Sequence, residues 1–137
     1  MVTVAAGVHA GSFLVRSADT PCAITEQAPP RPRHQFEVSI GGPAPKMEPK
    51  ELTQLTMIIP NADVRGPNHS FFASIIFGDI THGARYVAEM RAGEKTGGSG
   101  TVTLLPHGED ATLTFDVTSA DGTPYTGVIQ CVGVMHI

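Results

Sequence analysis

The chain is short of charge. Asp, Glu, Lys and Arg make up 16% of its 137 residues, against roughly 25% in an ordinary soluble domain, and the balance is a net −4. Without a basic field there is nothing to hold phosphate backbones or an anionic membrane surface, which argues against a nucleic-acid partner. Long apolar runs are missing as well. No stretch of eighteen apolar residues occurs, so the sequence contains no helical membrane span. Cysteine is limited to Cys22 and Cys131, and neither zinc-type nor catalytic spacing surrounds them. There is no internal repeat.

The usual signatures of chemistry are absent too. The six histidines, His9, His34, His69, His82, His107 and His136, show no His-x-x-x-His spacing. A metal site would have to be assembled by the fold, with His69, His82 and His107 in or beside loops, and the reading adopted is no metal and no other cofactor. Met47, Met57, Met90 and Met135 read as core or gap-filling residues rather than copper ligands. Gly98-Ser99-Gly100 lies in a flexible stretch and not in a strand-to-helix elbow, so it is no nucleophile turn. It also lacks the Lys-Ser/Thr end of a phosphate loop. Glu109, Asp110 and Asp121 fall in turns, where carboxylates normally face water. These readings point away from an enzyme.

What the sequence does hold is turn chemistry: 15 Gly and 11 Pro punctuate a chain that is 41% hydrophobic. Its length suits a single domain over residues 1–137. Phe36, Val38 and Ile40 alternate with Glu37 and Ser39, the period of a half-buried strand. Tyr86, Ala88 and Met90 repeat the pattern, as do Leu113, Phe115 and Val117. Segments 55–59 and 70–77 are more continuously apolar, as expected of central strands covered on both faces. Val2–Val4 and Ser12–Arg16 form an opening hairpin. Ala28 to Arg33 reads as a stiff, extended connector because proline fixes φ and restricts its predecessor. Pro49 to Leu55 is the one helical candidate, with Leu52 and Leu55 on one side, and Gly93 to Gly100 reads as a flexible hairpin or surface loop. Asp121-Gly122 is a hairpin turn. About eight short strands at this spacing predict an all-β fold, an antiparallel β-sandwich with a β-barrel as the alternative.

Cys22 and Cys131 lie near the two ends of this alternating sequence. A disulfide between them would tie front to back, and the chain-entropy model assigns roughly 4.7 kcal/mol to a loop of about 100 residues. The alternative is two buried free thiols, packing as small hydrophobes. Paired, they place the domain in an oxidising, extracytoplasmic setting, secreted or at the cell envelope. The first ten residues lack a positive n-region and an apolar stretch long enough for a signal peptide, so the chain reads as a mature domain whose leader or anchor has been removed. Asn68-His69-Ser70 is an N-glycosylation sequon. The Ala/Gly/Pro/Thr/Val-rich usage has a bacterial character that makes it silent.

Cys22 followed by Phe36-Glu37-Val38-Ser39-Ile40-Gly41-Gly42, and the closing run Gly98-Ser99-Gly100-Thr101-Val102-Thr103, a turn, a β-hairpin and Cys131, resemble the mycobacterial nineteen-kilodalton lipoprotein antigen family. The Pro-rich insertions, the Phe71-Phe72 strand and the lack of a lipidated N-terminal cysteine depart from it. The resemblance implies an envelope-attached, lipoprotein-like β domain with one disulfide and no known catalytic machinery.

The expectation is a non-enzymatic binding or surface module. Loops carry function on rigid β scaffolds, so the binding face is expected where Asn61–His69, Gly93–Gly100 and Pro106–Asp110 gather, with Arg65, Asn68, His69, Lys95 and His107 as contacts. The partner would be a protein or a small-molecule ligand. The alternative is a self-assembling structural subunit, a homo-oligomer signalled by Phe71, Phe72 and Phe77 exposed as one patch. A metal-dependent hydrolase comes third.

Overall fold

A computed structural model describes residues 2–4, 11–13, 22–41, 52–78, 83–91 and 94–137. They form strands and turns, with no helix among the described residues. The strands are β1 (Val2–Val4), β2 (Gly11–Phe13), β3 (Cys22–Glu26), β4 (His34–Gly41), β5 (Leu52–Ile59), β6 (Phe71–Phe77), β7 (Ala84–Arg91), β8 (Glu94–Gly97), β9 (Ser99–His107), β10 (Asp110–Thr118), β11 (Pro124–Cys131) and β12 (Met135–His136). They build two sheets, one of five strands in the order β2-β1-β11-β10-β9 and one of seven in the order β12-β3-β4-β5-β6-β7-β8. Every pairing is antiparallel except β12 on β3, which is parallel. The architecture is the expected sandwich, opened by the antiparallel pair β1–β2 where a hairpin was expected, with more strands than the eight anticipated because β8 and β12 are too short to stand out in the sequence.

Period-2 alternation explains the layers. Phe36, Val38 and Ile40, then Leu55, Met57 and Ile59, and Tyr86, Ala88 and Met90 bury one face of the seven-stranded sheet. Val102 and Leu104 with Leu113, Phe115, Val117 and Tyr125 bury the facing side of the five-stranded sheet. In β6, Phe71, Ala73, Ile75 and Phe77 are core while Ser74 and Ile76 on the other face are buried as well, as its continuous apolar run predicts. The Phe71/Phe72/Phe77 patch is therefore not formed. Phe71 and Phe77 are core, and Phe72 lies half-buried on the opposite face.

Cys22 on β3 and Cys131 on β11 are fully buried and joined, with Cα atoms 5.9 Å apart across a separation of 109 residues. The disulfide thus links the two sheets. The Tyr125 hydroxyl adds a second inter-sheet tie, donating to the Tyr86 carbonyl at 3.2 Å. No helix of the described residues is long and apolar enough to cross a membrane.

Three local expectations change. Leu52 opens β5, so Pro49–Leu55 is not a helix over Leu52–Leu55; residues 49–51 lie outside the described residues. The register shifts between Leu52 and Gln54, and the extra residue of a β-bulge stretches a period of two to the three-residue spacing that imitates a helix. Ala28 to Arg33 is not an extended spacer but the β3–β4 hairpin loop, closed by Gln27 N–H to the Arg33 carbonyl at 2.8 Å and Arg31 N–H to the Ala28 carbonyl at 3.1 Å. The third concerns the glycine run. β8 ends at Gly97 in the seven-stranded sheet, Gly98 has φ 110°, and β9 starts at Ser99 in the five-stranded sheet. This segment is a corner that carries the chain between sheets. Bare backbone is needed there because a Cβ on Gly98 would sit 2.5 Å from the Thr118 carbonyl oxygen, and one on Gly100 2.6 Å from the Val117 Cα.

Candidate functional site

Strand β9 separates the expected binding loops. Ser99 pairs with Thr118 at one end and His107 with Asp110 at the other, and nine extended residues span roughly 27 Å at about 3.4 Å each. The Gly97–Gly100 corner is thus remote from the Pro106–Asp110 turn. The Asn61–His69 loop joins the second of these, not the first.

Where those two meet, the sandwich is open. The alternation of β4 continues one step beyond Phe36 to His34, which keeps the inner face but is half-exposed at the rim. On β3 the inner face runs Cys22, Ile24, Glu26, with Ile24 opposite Phe36 and Glu26 opposite His34. His136 on β12 is in register with Ile24. From the facing sheet, β9 contributes Leu104 and then Pro106. Between the sheets lies a cleft of about 310 Å³, walled by Ile24, His34, Leu104, Pro106 and His136 and closed laterally by Ala62, Asp63, Val64 and Arg65 of the β5–β6 loop. That volume falls at the small end of ligand pockets.

The loop that forms the rim is strapped to both sheets. Ala62 N–H donates to the His34 carbonyl at 2.8 Å, tying it to β4. Asn68 forms an isolated antiparallel bridge with Val102 of β9, through Asn68 N–H to the Val102 carbonyl at 2.7 Å and Val102 N–H to the Asn68 carbonyl at 3.2 Å. The Asn68 side chain is buried and its amide donates to the Asn61 carbonyl at 3.3 Å, while the Asn61 side chain accepts from Asp63 N–H at 3.2 Å. A buried polar side chain satisfied in this way holds a loop in one conformation. Asn68 therefore shapes the rim, with its side-chain amide buried and engaged within the loop.

The polar groups of the cleft are few. His34 Nδ1 faces the Asp63 carboxylate at 2.9 and 3.0 Å, which assigns the Nδ1 proton to that bond and leaves Nε2 with no protein partner among the described residues. The side chains are 29% and 57% exposed, so water screens this pair. Arg65 lines the cleft, is exposed, and has no ion-pair partner among the described residues. The β12 strand that brings His136 is itself anchored: Val134 N–H donates to the Glu109 carbonyl at 2.7 Å and Gly133 N–H to the Asp110 carboxylate at 2.8 Å.

Of the expected contacts, then, Arg65 lines the cleft and Asn68 positions its rim. His69 is exposed on the same loop without lining it. His107 points to the outer face of the five-stranded sheet, where its Nε2–H donates to the Thr112 hydroxyl at 2.8 Å, which in turn donates to Gln130 Oε1 at 2.9 Å. Lys95 lies on β8 with its backbone paired to Met90, in the strand that leads into the far corner, and its side chain lies outside the described residues. His9 and His82 lie outside the described residues, and His107 faces away. Among the described residues no group of three or more His, Cys, Asp or Glu side chains converges.

His34, Asp63, Leu104, Pro106 and His136 were not singled out as a site by the sequence. One signal for His34 was available, since the alternation through Phe36, Val38 and Ile40 extends backwards to it. No family model, curated protein or solved structure matches the chain.

Proposed function

We propose that the chain is a non-enzymatic, extracytoplasmic binding module that seats a small ligand in the open mouth between its two sheets. The observation that carries this reading is the cleft itself, with walls drawn from both sheets and a rim strapped to each. Aliphatic walls with a few fixed polar groups are the composition of a small-molecule site. The His34–Asp63 pair orients one imidazole over an otherwise aliphatic lining, an arrangement suited to recognition. A buried disulfide that bridges the sheets supports an oxidising compartment. The envelope-attached domain implied by the mycobacterial resemblance belongs to the same reading.

The self-assembly alternative gains nothing from β6, where Phe71 and Phe77 are core.

The test is a fragment screen by NMR on the wild-type chain and on Pro106→Trp. Pro106 is exposed at the cleft wall, so an indole there fills the mouth without entering the core. Hits should shift His34, Arg65 and His136 resonances and vanish in the variant. Hits that map to another surface, or that bind the variant equally, would sink the reading.

A further inference from the structure

Resting on that reading, we infer that the mouth cleft takes a free aliphatic monocarboxylate, its chain against Ile24, Val64, Leu104 and Pro106 and its carboxylate at Arg65. Charge comes first. Two charged or polar pairs around the mouth are already matched: Asp63 accepts from His34, and Glu26 pairs with Arg33 at 3.6 Å. Arg65 is the cation lining the cleft that lacks a carboxylate among the described residues. A guanidinium presents a planar fork that fits a carboxylate in two parallel hydrogen bonds. One unmatched positive charge suits one negative charge. A dianion such as a phosphate monoester would leave its second charge uncompensated beside Asp63.

The walls decide the rest of the ligand. Ile24, Ala62, Val64, Leu104 and Pro106 are aliphatic, and apart from the two imidazoles no aromatic ring of the described residues lines the cleft. A sugar or a nucleobase would find no stacking platform, whereas an alkyl chain needs only apolar area. The imidazole Nε2 of His34 and the ring of His136 leave the polar side of the mouth able to hold water or a ligand oxygen.

The experiment is a titration of the full chain with butanoate, hexanoate and octanoate, alongside 1-octanol, octylamine and octyl phosphate, all kept below their aggregation concentrations. Affinity should rise about fourfold per methylene, the equivalent of about 0.8 kcal/mol per buried CH₂, until the cleft is full. Octanol and octylamine should bind about tenfold or more weakly than octanoate. Arg65→Gln, a change at an exposed side chain, should weaken octanoate about tenfold and leave octanol unchanged, at an unaltered melting temperature. Pro106→Trp should abolish binding of both. Equal binding of octanoate, octanol and octylamine, or tighter binding of octyl phosphate, overturns the monocarboxylate assignment while leaving the cleft as a site. If none of these probes binds but other fragments still occupy the mouth, the assignment fails alone. If nothing binds the mouth, both fail.

Discussion

The two ends of β9 close the sandwich in opposite ways. At the Gly98 end, the chain itself passes from one sheet to the other, backbone packs on backbone at Gly98 and Gly100, and Ala120 N–H donates to the Val87 carbonyl at 2.9 Å across the sheets. At the Leu104–Pro106 end, the sheets stand apart around a cleft, and a covalent clamp limits their separation. Cys22 is two residues before Ile24 on β3, and Cys131 is in register with Ala111, which faces Pro106. A sandwich sealed at both ends would have a core and no site. Leaving one end open, and bridging it just inside the opening, gives a mouth without letting the sheets splay.

The largest break in this comparison is expected at the corner. Gly100→Ala places a Cβ at φ +130° against the backbone of the neighbouring strand. Backbone cannot move aside as a flexible side chain can, so we expect a loss of about 4 kcal/mol or failure to fold. Gly66, on the loop at the mouth, also has a positive φ of +82°, but nothing lies within 4 Å of a Cβ built there. Gly66→Ala should cost only the conformational term, about 1 kcal/mol. Urea melts of the two variants check the contrast. Equal losses would mean that the corner is no tighter than the mouth.

Next in size is the clamp. Replacing both cysteines, Cys22→Ala with Cys131→Ala, should lower stability by about 2–5 kcal/mol. The loss should be unevenly spread. Amide exchange should speed up at Ile24, Leu104 and Val134, beside the mouth, before it does at Val87 and Ala120, beside the corner. Uniform acceleration would show that the disulfide holds the whole sandwich rather than one end.

How far these two ends were visible in the sequence follows from what each is made of. The layers were legible because alternation in Phe36-Val38-Ile40 and Leu113-Phe115-Val117 is a local pattern, and two cysteines near its ends allowed one pairing, Cys22–Cys131, with buried free thiols as the alternative that the structure removes. The corner was misread because glycine has no side chain to report packing. The same Gly97-Gly98-Ser99-Gly100 string serves a slack loop or a place where backbones nearly touch, and only the φ values and the neighbours separate the two. The mouth was hidden for a different reason. Its walls come from Ile24, His34, Asp63, Leu104 and His136, five separate stretches of chain, and a site assembled by sheet register leaves no spacing motif. Arg65 was found because it lies in a loop, and Asn68 was drawn to the surface by the same logic although its buried amide is part of the loop's frame.

The smallest effect separates the ends by pH. The two tyrosines, Tyr86 and Tyr125, lie at neighbouring positions across the sheets toward the corner, joined by the hydroxyl-to-carbonyl bond. Burial, and secondarily the charge of Asp121, raises the pKa of both, that of Tyr125 well above the ordinary phenol range. A raised folded-state pKa means that the unfolded chain releases its phenolic protons first. The associated stability is complete below the unfolded value of about 10 and is lost as pH rises above it. For one fully buried phenol the slope is on the order of 1 kcal/mol per pH unit, so alkaline melts should steepen above about pH 10. Tyr125→Phe should flatten that slope while costing about 1 kcal/mol at neutral pH for the lost hydrogen bond. The tyrosinate absorbance of the folded wild type should lag that of the unfolded chain over the same window. Because the phenols belong to the corner, the Cys22→Ala, Cys131→Ala protein should keep the same alkaline slope from its lower starting stability. A slope that disappeared with the disulfide would mean that opening the mouth lets water reach Tyr125, and that the two ends are one cooperative unit after all.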